Sequence, residues 1–330
     1  MGIEVAKNQG AKRSAGMYQF AKYEVFALST HGIEYNYKKS YYEFNIRSFV
    51  EFESSGQGLV TGVKINDAEK RIQKAAEQAG KLAYLSREPK MGTPGQYDVI
   101  LSPIVAANLF GMLGTSANPL LIMMNFSPYG DKMGKQVAPE FLNIYDWGTI
   151  EEGLGSRPID FEGVSTQKTP ILEKGVLKNL IHNYSSAKMM NAKSTGNAEL
   201  ASFGGNKFLA PTPTNIVFDN GDHKLEELME LESENNRPII YVTSNWYTRW
   251  TNMLETSFST IPRDGMYIIK NGEISQPIKK LRISDNLLGM TQRIQAMGND
   301  RQQVHWWEVE TPTFIGSVRV ANVRFTAATK

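Results

Sequence analysis

The chain has 330 residues, of which 41% are hydrophobic and 21% charged, a balance that is ordinary for a globular protein with ample buried core. Its formal net charge of +2 creates no strong field toward nucleic acid or an anionic membrane, so neither is expected as a partner. The absence of cysteine excludes disulfides, thiol catalysis and cysteine-ligated metal. The N-terminal segment lacks a signal-peptide core and no apolar run is long enough to span a bilayer, which predicts a cytoplasmic protein.

The first part of the chain predicts a β-meander. Residues 1–21 are polar and predict a loop. Apolar and polar side chains then alternate, most clearly over residues 42–52, and this pattern is typical of half-buried antiparallel strands. The predicted strands cover residues 23–30, 33–39 and 42–52.

A helix is predicted over residues 67–85. Asn66 occupies the N-cap position, and Glu69 occupies the position that completes a capping box. Apolar side chains recur on one face of this helix, which is typical of an amphipathic helix. These side chains are Ile72, Ala75, Ala76, Ala79, Leu82 and Ala83.

Residues 87–95 form the best linker in the sequence because prolines and glycines alternate there. A boundary at about Lys90 divides the chain into an N-terminal domain (1–90) and a C-terminal domain (91–330). The second domain predicts a buried strand over 97–101, a β-hairpin turn at 270–272 and an amphipathic helix over 284–297. The fold class is therefore α+β, a small β-meander plus helix followed by a larger, mixed, β-rich domain.

Residues 147–197 are dense in glycine and small polar side chains. Glycine tolerates a positive φ and lets another backbone approach closely. Two interpretations fit this stretch. It is either a loop-rich β-region with ordinary turns, or backbone that packs beside an extended ligand.

Five short motifs lie in or before this stretch. They read Leu-Phe-Gly at 109–111, Gly-Lys-Gln at 134–136, Gly-Thr-Ile at 148–150, Gly-Ser-Arg-Pro-Ile-Asp-Phe-Glu-Gly-Val-Ser-Thr-Gln at 155–167 and Ser-Thr-Gly-Asn-Ala at 194–198. The last three resemble, in this order, the C-terminal domain of the TldD/PmbA family, and the first two resemble its PmbA (TldE) branch. The resemblance extends from about Tyr23 to the C-terminus. It implies that family members carry a longer N-terminal domain, so the first domain here is expected to be a partial one.

The resemblance also bears on metal binding, because the catalytic TldD branch resembles a zinc peptidase with a His-Glu-x-x-His helix. Aligned on Leu109-Phe110, this chain has Gly-Met-Leu-Gly-Thr-Ser at 111–116 in that place. The family's cysteine ligand has no counterpart in a cysteine-free chain. The histidines are isolated in the sequence, at His31, His182, His223 and His305. We therefore predict no metal site, no cofactor and no catalytic residues.

Candidate residues for lining a peptide cleft come from the central stretch and from an aromatic segment with arginine. Arginine among aromatic side chains, as at 246–250, is enriched at interaction surfaces. The resemblance implies that this segment and Arg263 lie near the family's central cleft, and the turn at 194–197 is expected to face it. The full set is Gly155, Ser156, Asp160, Thr166, Ser194, Thr195, Gly196, Asn197, Arg249 and Arg263.

The resemblance implies a role in proteolysis, as a metal-free TldE/PmbA-like subunit that pairs with a TldD-like zinc metallopeptidase. Such a subunit would help enclose or position unfolded peptide, which would add as a strand along an exposed edge. One alternative is a homo-oligomeric peptide-binding or scaffold protein without peptidase activity. Another is a hydrolase with a site around Asp160, Thr166 and Asn197. The apolar run at 120–124 fits either a subunit contact or a core strand.

Overall fold

The N-terminal part of the chain is a three-stranded antiparallel sheet that carries a long hairpin. The computed structural model describes residues 1–30, 32–203 and 205–328. Helix α1 (Gly2–Asn8) comes first, and strands β1 (Arg13–Leu28), β2 (Glu34–Glu51) and β3 (Ser54–Gly62) follow in sheet order. Strands β1 and β2 pair from Arg13↔Phe49 to Leu28↔Glu34. Because β3 pairs only with the second half of β2, from Tyr42 onward, the hairpin projects beyond the sheet.

Helix α2 (Ala68–Leu85) packs on this sheet, and its predicted apolar face is confirmed. Residues Ile72, Ala75, Ala76, Ala79, Leu82 and Ala83 are all buried. The N-cap is Asp67, so the predicted cap at Asn66 is wrong by one position.

The rest of the described chain forms two larger sheets, a short hairpin and helices. The helices are α3 (Pro103–Thr115), α4 (Pro119–Met123), α5 (Tyr184–Met189), α6 (Leu225–Glu230) and α7 (Leu287–Gln292), with a short 3₁₀ helix at Glu234–Asn236. The strands are β4 (Lys90–Met91), β5 (Gly95–Leu101), β6 (Ile144–Trp147), β7 (Lys168–Glu173), β8 (Val176–Leu177), β9 (Ala198–Phe203), β10 (Asn206–Pro211), β11 (Ile216–Phe218), β12 (Ile239–Val242), β13 (Asn245–Asn252), β14 (Ser257–Pro262), β15 (Met266–Lys270), β16 (Glu273–Lys279), β17 (Leu281–Asn286), β18 (Ile294–Met297), β19 (Gln302–Trp306), β20 (Val309–Ile315) and β21 (Val318–Ala327).

The two larger sheets differ in size, and each contains both parallel and antiparallel pairs. The ten-stranded sheet runs β13-β14-β17-β21-β5-β12-β15-β16-β4, with β18 also paired to β21. The six-stranded sheet runs β19-β20-β11-β6-β7-β8, and β9 pairs with β10 alone. Both larger sheets mix parallel and antiparallel pairs, as at β12–β5 and β11–β20. The predicted α+β class is therefore confirmed.

Helix α3 is the central element of the main core. It is capped by Ser102, whose side chain accepts a hydrogen bond from the Val105 backbone N–H. Leu109, Phe110 and Leu113 are fully buried and share one apolar cluster with residues of both larger sheets. Burying three such side chains contributes on the order of 5–9 kcal/mol before entropy is counted.

Several sequence predictions of secondary structure need correction. Residues 1–21 are not a loop, since α1 and the first half of β1 lie there. The strands predicted at 33–39 and 42–52 are one strand, β2, and the third strand of the meander is β3. Residues 87–95 contain β4 and the start of β5, and the helix predicted over 284–297 is instead the end of β17, α7 and β18. The hairpin turn at 270–272 is confirmed, between β15 and β16.

The apolar run at 120–124 is also clarified by the structure. It is not a core strand, because residues 119–123 form helix α4, and of this helix Pro119 is the buried residue. Met123 and Met124 are exposed. In the described chain no helix has the length and apolarity needed to cross a membrane.

Candidate functional site

A groove of about 570 Å³ runs along helix α3. The helix presents one half-exposed face to it, formed by Asn108, Met112 and Thr115, while most of its other residues are buried. These three positions recur at helical spacing and so lie on one side of the helix. Strand β13, the chain just after β10, and the turn between β19 and β20 supply the other walls.

The groove does not fit the zinc centre that the resemblance associates with this helix. Its helical face offers an amide, a thioether and a hydroxyl, and zinc prefers imidazole, thiolate and carboxylate. A Cβ at Gly114 would lie 2.1 Å from Ile216 Cδ1, so the packing leaves no room for an imidazole there. Over residues 1–30, 32–203 and 205–328, no group of three or more His, Cys, Asp or Glu side chains could hold a metal ion.

The groove is bordered by an exposed strand and by aromatic side chains. Strand β13 is the terminal strand of the ten-stranded sheet. Tyr247 on β13 is 45% exposed, and Trp307 in the β19–β20 turn is 58% exposed. Their rings meet edge to face at 6.3 Å, and the Arg249 guanidinium lies 5.3 Å from the Tyr247 ring. This arrangement offers apolar and cationic contacts beside the edge strand.

A second cavity, of about 630 Å³, lies beneath the projecting hairpin. One wall is the hairpin itself, including Val25, Ile33 and Lys39, and the opposite wall is the loop 154–163. Glu199 at the start of β9 closes one side and forms an ion pair with Arg157 of that loop. The cavity therefore has an apolar part and a charged part.

Lys39 joins the two walls of the hairpin cavity. Its Nζ donates to the carbonyl oxygen of Ser156 at 2.8 Å and to that of Leu154. Burial and the nearby Arg157 guanidinium lower the pKa of Lys39 to about 8. An ammonium that deprotonates near neutrality can both donate hydrogen bonds and react as an amine.

Three of the predicted site residues line the hairpin cavity: Gly155, Ser156 and Asp160. The Asp160 carboxylate is engaged by backbone of its own loop and of β9, because it accepts from the backbone N–H groups of Glu162, Val164 and Ala198, each at 2.9 Å. Ser156 Oγ donates to the Ile150 carbonyl at 2.7 Å. These residues shape the cavity wall through local hydrogen bonds.

The predicted turn at 194–197 is half-buried at Ser194 and Thr195 and buried at Gly196 and Asn197, and none of these residues lines the α3 groove or the hairpin cavity. Asn197 is fully buried and donates to Asp146 Oδ2 at 2.5 Å. Its Oδ1 accepts from Thr195 Oγ1 at 2.6 Å.

Thr166 lies nearby and is also buried, with its hydroxyl donating to the Arg157 carbonyl. Asp160, Thr166 and Asn197, on which the hydrolase alternative rests, are all buried and hydrogen-bonded within the protein. Each polar group already has an internal partner.

The two predicted arginines lie in different surroundings. Arg249 is exposed and lines the α3 groove. Arg263 lies elsewhere, where its Nε donates to Asp264 at 2.9 Å and its Nη2 donates to Gln57 at 2.9 Å. Its guanidinium also lies 5.2 Å from the Trp246 ring. Arg263 thus links the N-terminal sheet to the ten-stranded sheet.

Sequence reasoning missed Lys39 and Arg157 as cavity residues. No local signal distinguishes Lys39, because a lysine alternating with tyrosine on a strand is ordinary for a solvated face. It also missed the buried Asp146, which accepts from Thr214 N at 2.6 Å and anchors the Asn197 turn.

Two of the histidines contact other side chains of the protein. His182 is buried beside Ser186, and burial lowers its pKa. The His305 ring lies 3.2 Å from Glu43. His31 lies outside the described residues.

The class of protein is given by a family of proteolysis-related, metallopeptidase-like proteins. Residues 94–327 match the family model described as the PmbA/TldA metallopeptidase C-terminal domain, and the chain belongs to this TldD/PmbA family.

Curated relatives support the assignment. A metalloprotease of Methanocaldococcus jannaschii is 32% identical over 207 residues, which are 62% of this chain and 44% of that protein. A metalloprotease TldD homolog of Buchnera aphidicola is 29% identical over 237 residues, or 70% of this chain and 46% of that protein. Metalloprotease PmbA of Escherichia coli O157:H7 is 26% identical over 202 residues, or 61% and 41%. The chain spans about half the length of these curated relatives.

Solved structures show the same fold. A Thermotoga maritima protein, described as a candidate modulator of a DNA gyrase, superimposes with a TM-score of 0.84 at 23% identity, covering 98% of this chain and 72% of that one. TldE from Thermococcus kodakarensis superimposes with a TM-score of 0.83 at 18% identity, covering 99% and 72%.

Proposed function

We propose that this chain is a non-catalytic, peptide-holding subunit that pairs with a zinc-bearing, TldD-like peptidase. One observation carries the proposal. The chain belongs to a metallopeptidase family, and the helix that the resemblance places where the metal-binding helix lies presents Asn108, Met112 and Thr115 to an open groove instead of metal ligands. A groove lined by an amide, a thioether and a hydroxyl can hold a peptide through hydrogen bonds and apolar contacts.

The mode of binding follows from the edge strand. Strand β13 ends the ten-stranded sheet and borders the groove, so an extended peptide can add beside it through main-chain hydrogen bonds. Tyr247, Arg249 and Trp307 then contact alternate side chains of that peptide. Main-chain pairing gives affinity with little sequence selectivity, which suits unfolded substrates.

The proposal is tested with a groove-filling variant. Thr115→Trp fills the groove from a half-exposed position, and Ser185→Trp is a matched change on the exposed side of helix α5. We expect Thr115→Trp to weaken binding of a fluorescent unfolded peptide by at least roughly tenfold, or about 1.4 kcal/mol, with an unchanged Tm. Ser185→Trp should bind like the wild type. Equal binding by all three proteins would refute the groove as the peptide site.

The partner is tested by co-expression. Light scattering of the chain with a TldD-like subunit should show a hetero-oligomer. The zinc content of that complex should match the number of TldD-like subunits alone. A peptide-degradation assay on that complex should lose activity with Thr115→Trp. About one tightly held zinc for each copy of the isolated chain would contradict a metal-free subunit.

The homo-oligomeric alternative is favoured by a specific surface. The edge strand β1 exposes Tyr18, Phe20, Phe26 and Leu28, the last two at 68% and 80%. Exposed apolar patches of this kind mark protein contacts. A stable dimer of the isolated chain that does not dissociate in the presence of the TldD-like subunit would favour this alternative.

We also propose the division into domains 1–90 and 91–330. The first part has its own apolar cluster, which includes Ala6, Ile46 and Ala79. Strand β4 (Lys90–Met91) spans the proposed boundary and pairs with β16 of the second part. The two parts are therefore in contact at the boundary. Limited proteolysis between 87 and 95, yielding a stable fragment, would support this division.

A further inference from the structure

The turn between β19 and β20 places a carboxylate on the edge strand β13. Glu308 Oε1 accepts from the Tyr247 backbone N–H at 2.8 Å, and Oε2 accepts from the Thr248 backbone N–H at 3.3 Å. Asn108 of helix α3 also holds Glu308 in place. Its Nδ2 donates to Glu308 Oε2 at 3.4 Å and to the Glu308 main-chain carbonyl at 2.7 Å. Main chain and side chain together thus hold one carboxylate.

Two consecutive backbone N–H groups that converge on one anion form a nest. Such a nest needs a residue with left-handed backbone, and Tyr247 supplies it with a φ of +52°. This conformation is uncommon for a bulky aromatic residue and is strained. The β13–β14 register is also interrupted between Trp246 and Arg249, which frees the Tyr247 and Thr248 N–H groups from the ladder.

The nest opens onto the α3 groove. Thr248, Arg249 and Glu308 all line that groove, so the two N–H groups lie within reach of a ligand there. Arg249 adds a positive charge next to the nest, and its side chain is exposed. The local donors and charge therefore match a carboxylate.

We propose that this nest, formed by the backbone N–H groups of Tyr247 and Thr248, binds the C-terminal carboxylate of a peptide and that Glu308 is its internal competitor. The proposal rests on the proposed peptide-holding function, because the peptide would lie in the same groove. The upstream residues of the ligand would extend along the α3 face at Met112 and Thr115. A peptide then binds by displacing Glu308, and the wild-type chain binds it weakly.

The test compares one peptide in two forms, with a free C-terminal carboxylate and with a C-terminal amide. Glu308→Ala vacates the nest, and Glu310→Ala is the matched control, because it removes one negative charge from the same hairpin. We expect Glu308→Ala to strengthen binding of the carboxylate form by roughly tenfold or more, as charge-assisted hydrogen bonds allow, and to leave the amide form nearly unchanged. Glu310→Ala should change both forms alike. Glu308→Gln, which keeps the turn filled, provides a folded variant if Glu308→Ala is unstable.

Three results would overturn the inference: an equal gain for both peptide forms, an equal gain with Glu310→Ala, or a loss of binding with Glu308→Ala at unchanged Tm. The proposed function fails separately, if neither peptide form binds to any variant. In that case acetate alone tests the nest. Its addition to Glu308→Ala should shift the NMR amide signals of Tyr247 and Thr248, and the absence of these shifts would overturn the inference by itself.

Discussion

Arg47 on strand β2 donates from Nε to the fully buried carboxylate of Asp264 at 2.5 Å. Ser55 Oγ donates to the same Oδ1 at 2.7 Å, and Ser244 Oγ and Arg263 Nε donate to Oδ2 at 2.7 and 2.9 Å. The Asp264 carboxylate, with four hydrogen-bond donors, therefore joins the N-terminal sheet to the ten-stranded sheet.

Asp264→Ala should destabilise the protein by about 3–5 kcal/mol, because it leaves two guanidinium groups without their buried partner. Glu43→Gln, which changes another buried carboxylate at the same boundary, is the control and should cost less, since one histidine faces it. Urea denaturation at pH 7 measures both changes. A loss below about 1 kcal/mol for Asp264→Ala would contradict this account.

The pH dependence of the same group has a definite sign. Burial raises the pKa of Asp264, but the charges of Arg263 and Arg47, with their hydrogen bonds, lower it by a larger amount. The net pKa of Asp264 is therefore depressed. Its contribution is therefore present above the unfolded pKa of about 3.9 and is lost as the pH falls through the lower folded value. The Tm difference between wild type and Asp264→Asn should shrink below pH 4. A constant difference from pH 7 to pH 3 would argue against the ion pairs.

Gly196→Val should destabilise the protein strongly and lower its Tm, because the turn cannot accommodate a side chain there. Gly196 has a φ of +72°, and a Cβ there would lie 2.4 Å from the Ser165 carbonyl oxygen. The backbone conformation alone costs roughly 1–3 kcal/mol, and the overlap adds to it. Gly134→Ala is the matched control, with a φ of +74° and nothing within 4 Å of the added atom. Thermal melts should show a much smaller loss for Gly134→Ala, and equal losses would mean that backbone strain alone acts at Gly196.

Asn197→Asp should destabilise the protein at pH 7 and recover as the pH falls. Burial raises the pKa of Asp146 by more than its donors Asn197 and Thr214 lower it. Stability from Asp146 is thus fully present below the unfolded pKa of about 3.9 and is lost as the pH rises through the higher folded value. A second carboxylate at position 197 sharpens this loss. The deficit of Asn197→Asp should shrink between pH 7 and pH 4 more than that of Asn197→Ala, and parallel curves would contradict the prediction.

Lys39 should be acylated with a half-maximal pH of about 8, because burial and Arg157 lower its pKa to that value. Competitive labelling with acetic anhydride across pH 6–11, followed by mass spectrometry, measures this midpoint. Lys38, exposed on the same strand and paired with Glu24 at 3.3 Å, is the internal reference. Identical midpoints for Lys38 and Lys39 would show that the hairpin cavity does not perturb the amine.

Local patterns in the sequence predicted those elements whose signals are local. The helix over residues 67–85 was correct because its apolar face repeats with the helical period, and the turn at 270–272 was correct because asparagine and glycine favour a positive φ there. The motifs in the central stretch identified the family. They also directed attention to the loop that lines the hairpin cavity, at Gly155, Ser156 and Asp160.

Only the tertiary structure decided the elements and sites whose partners are distant in the chain. Strand β3 is buried throughout although its sequence is small and polar, because α2 and β19 cover it and Thr61 donates to the Gln303 carbonyl at 3.0 Å. Residues 294–297 became a strand instead of helix because β21 offered them a ladder. Lys39 meets Ser156 across 117 residues of sequence, and Glu308 meets Tyr247 across 61. Composition and hydrophobic periodicity carry no information on such long-range contacts. The packed fold determines which groups hydrogen-bond to each other and which are buried away from water.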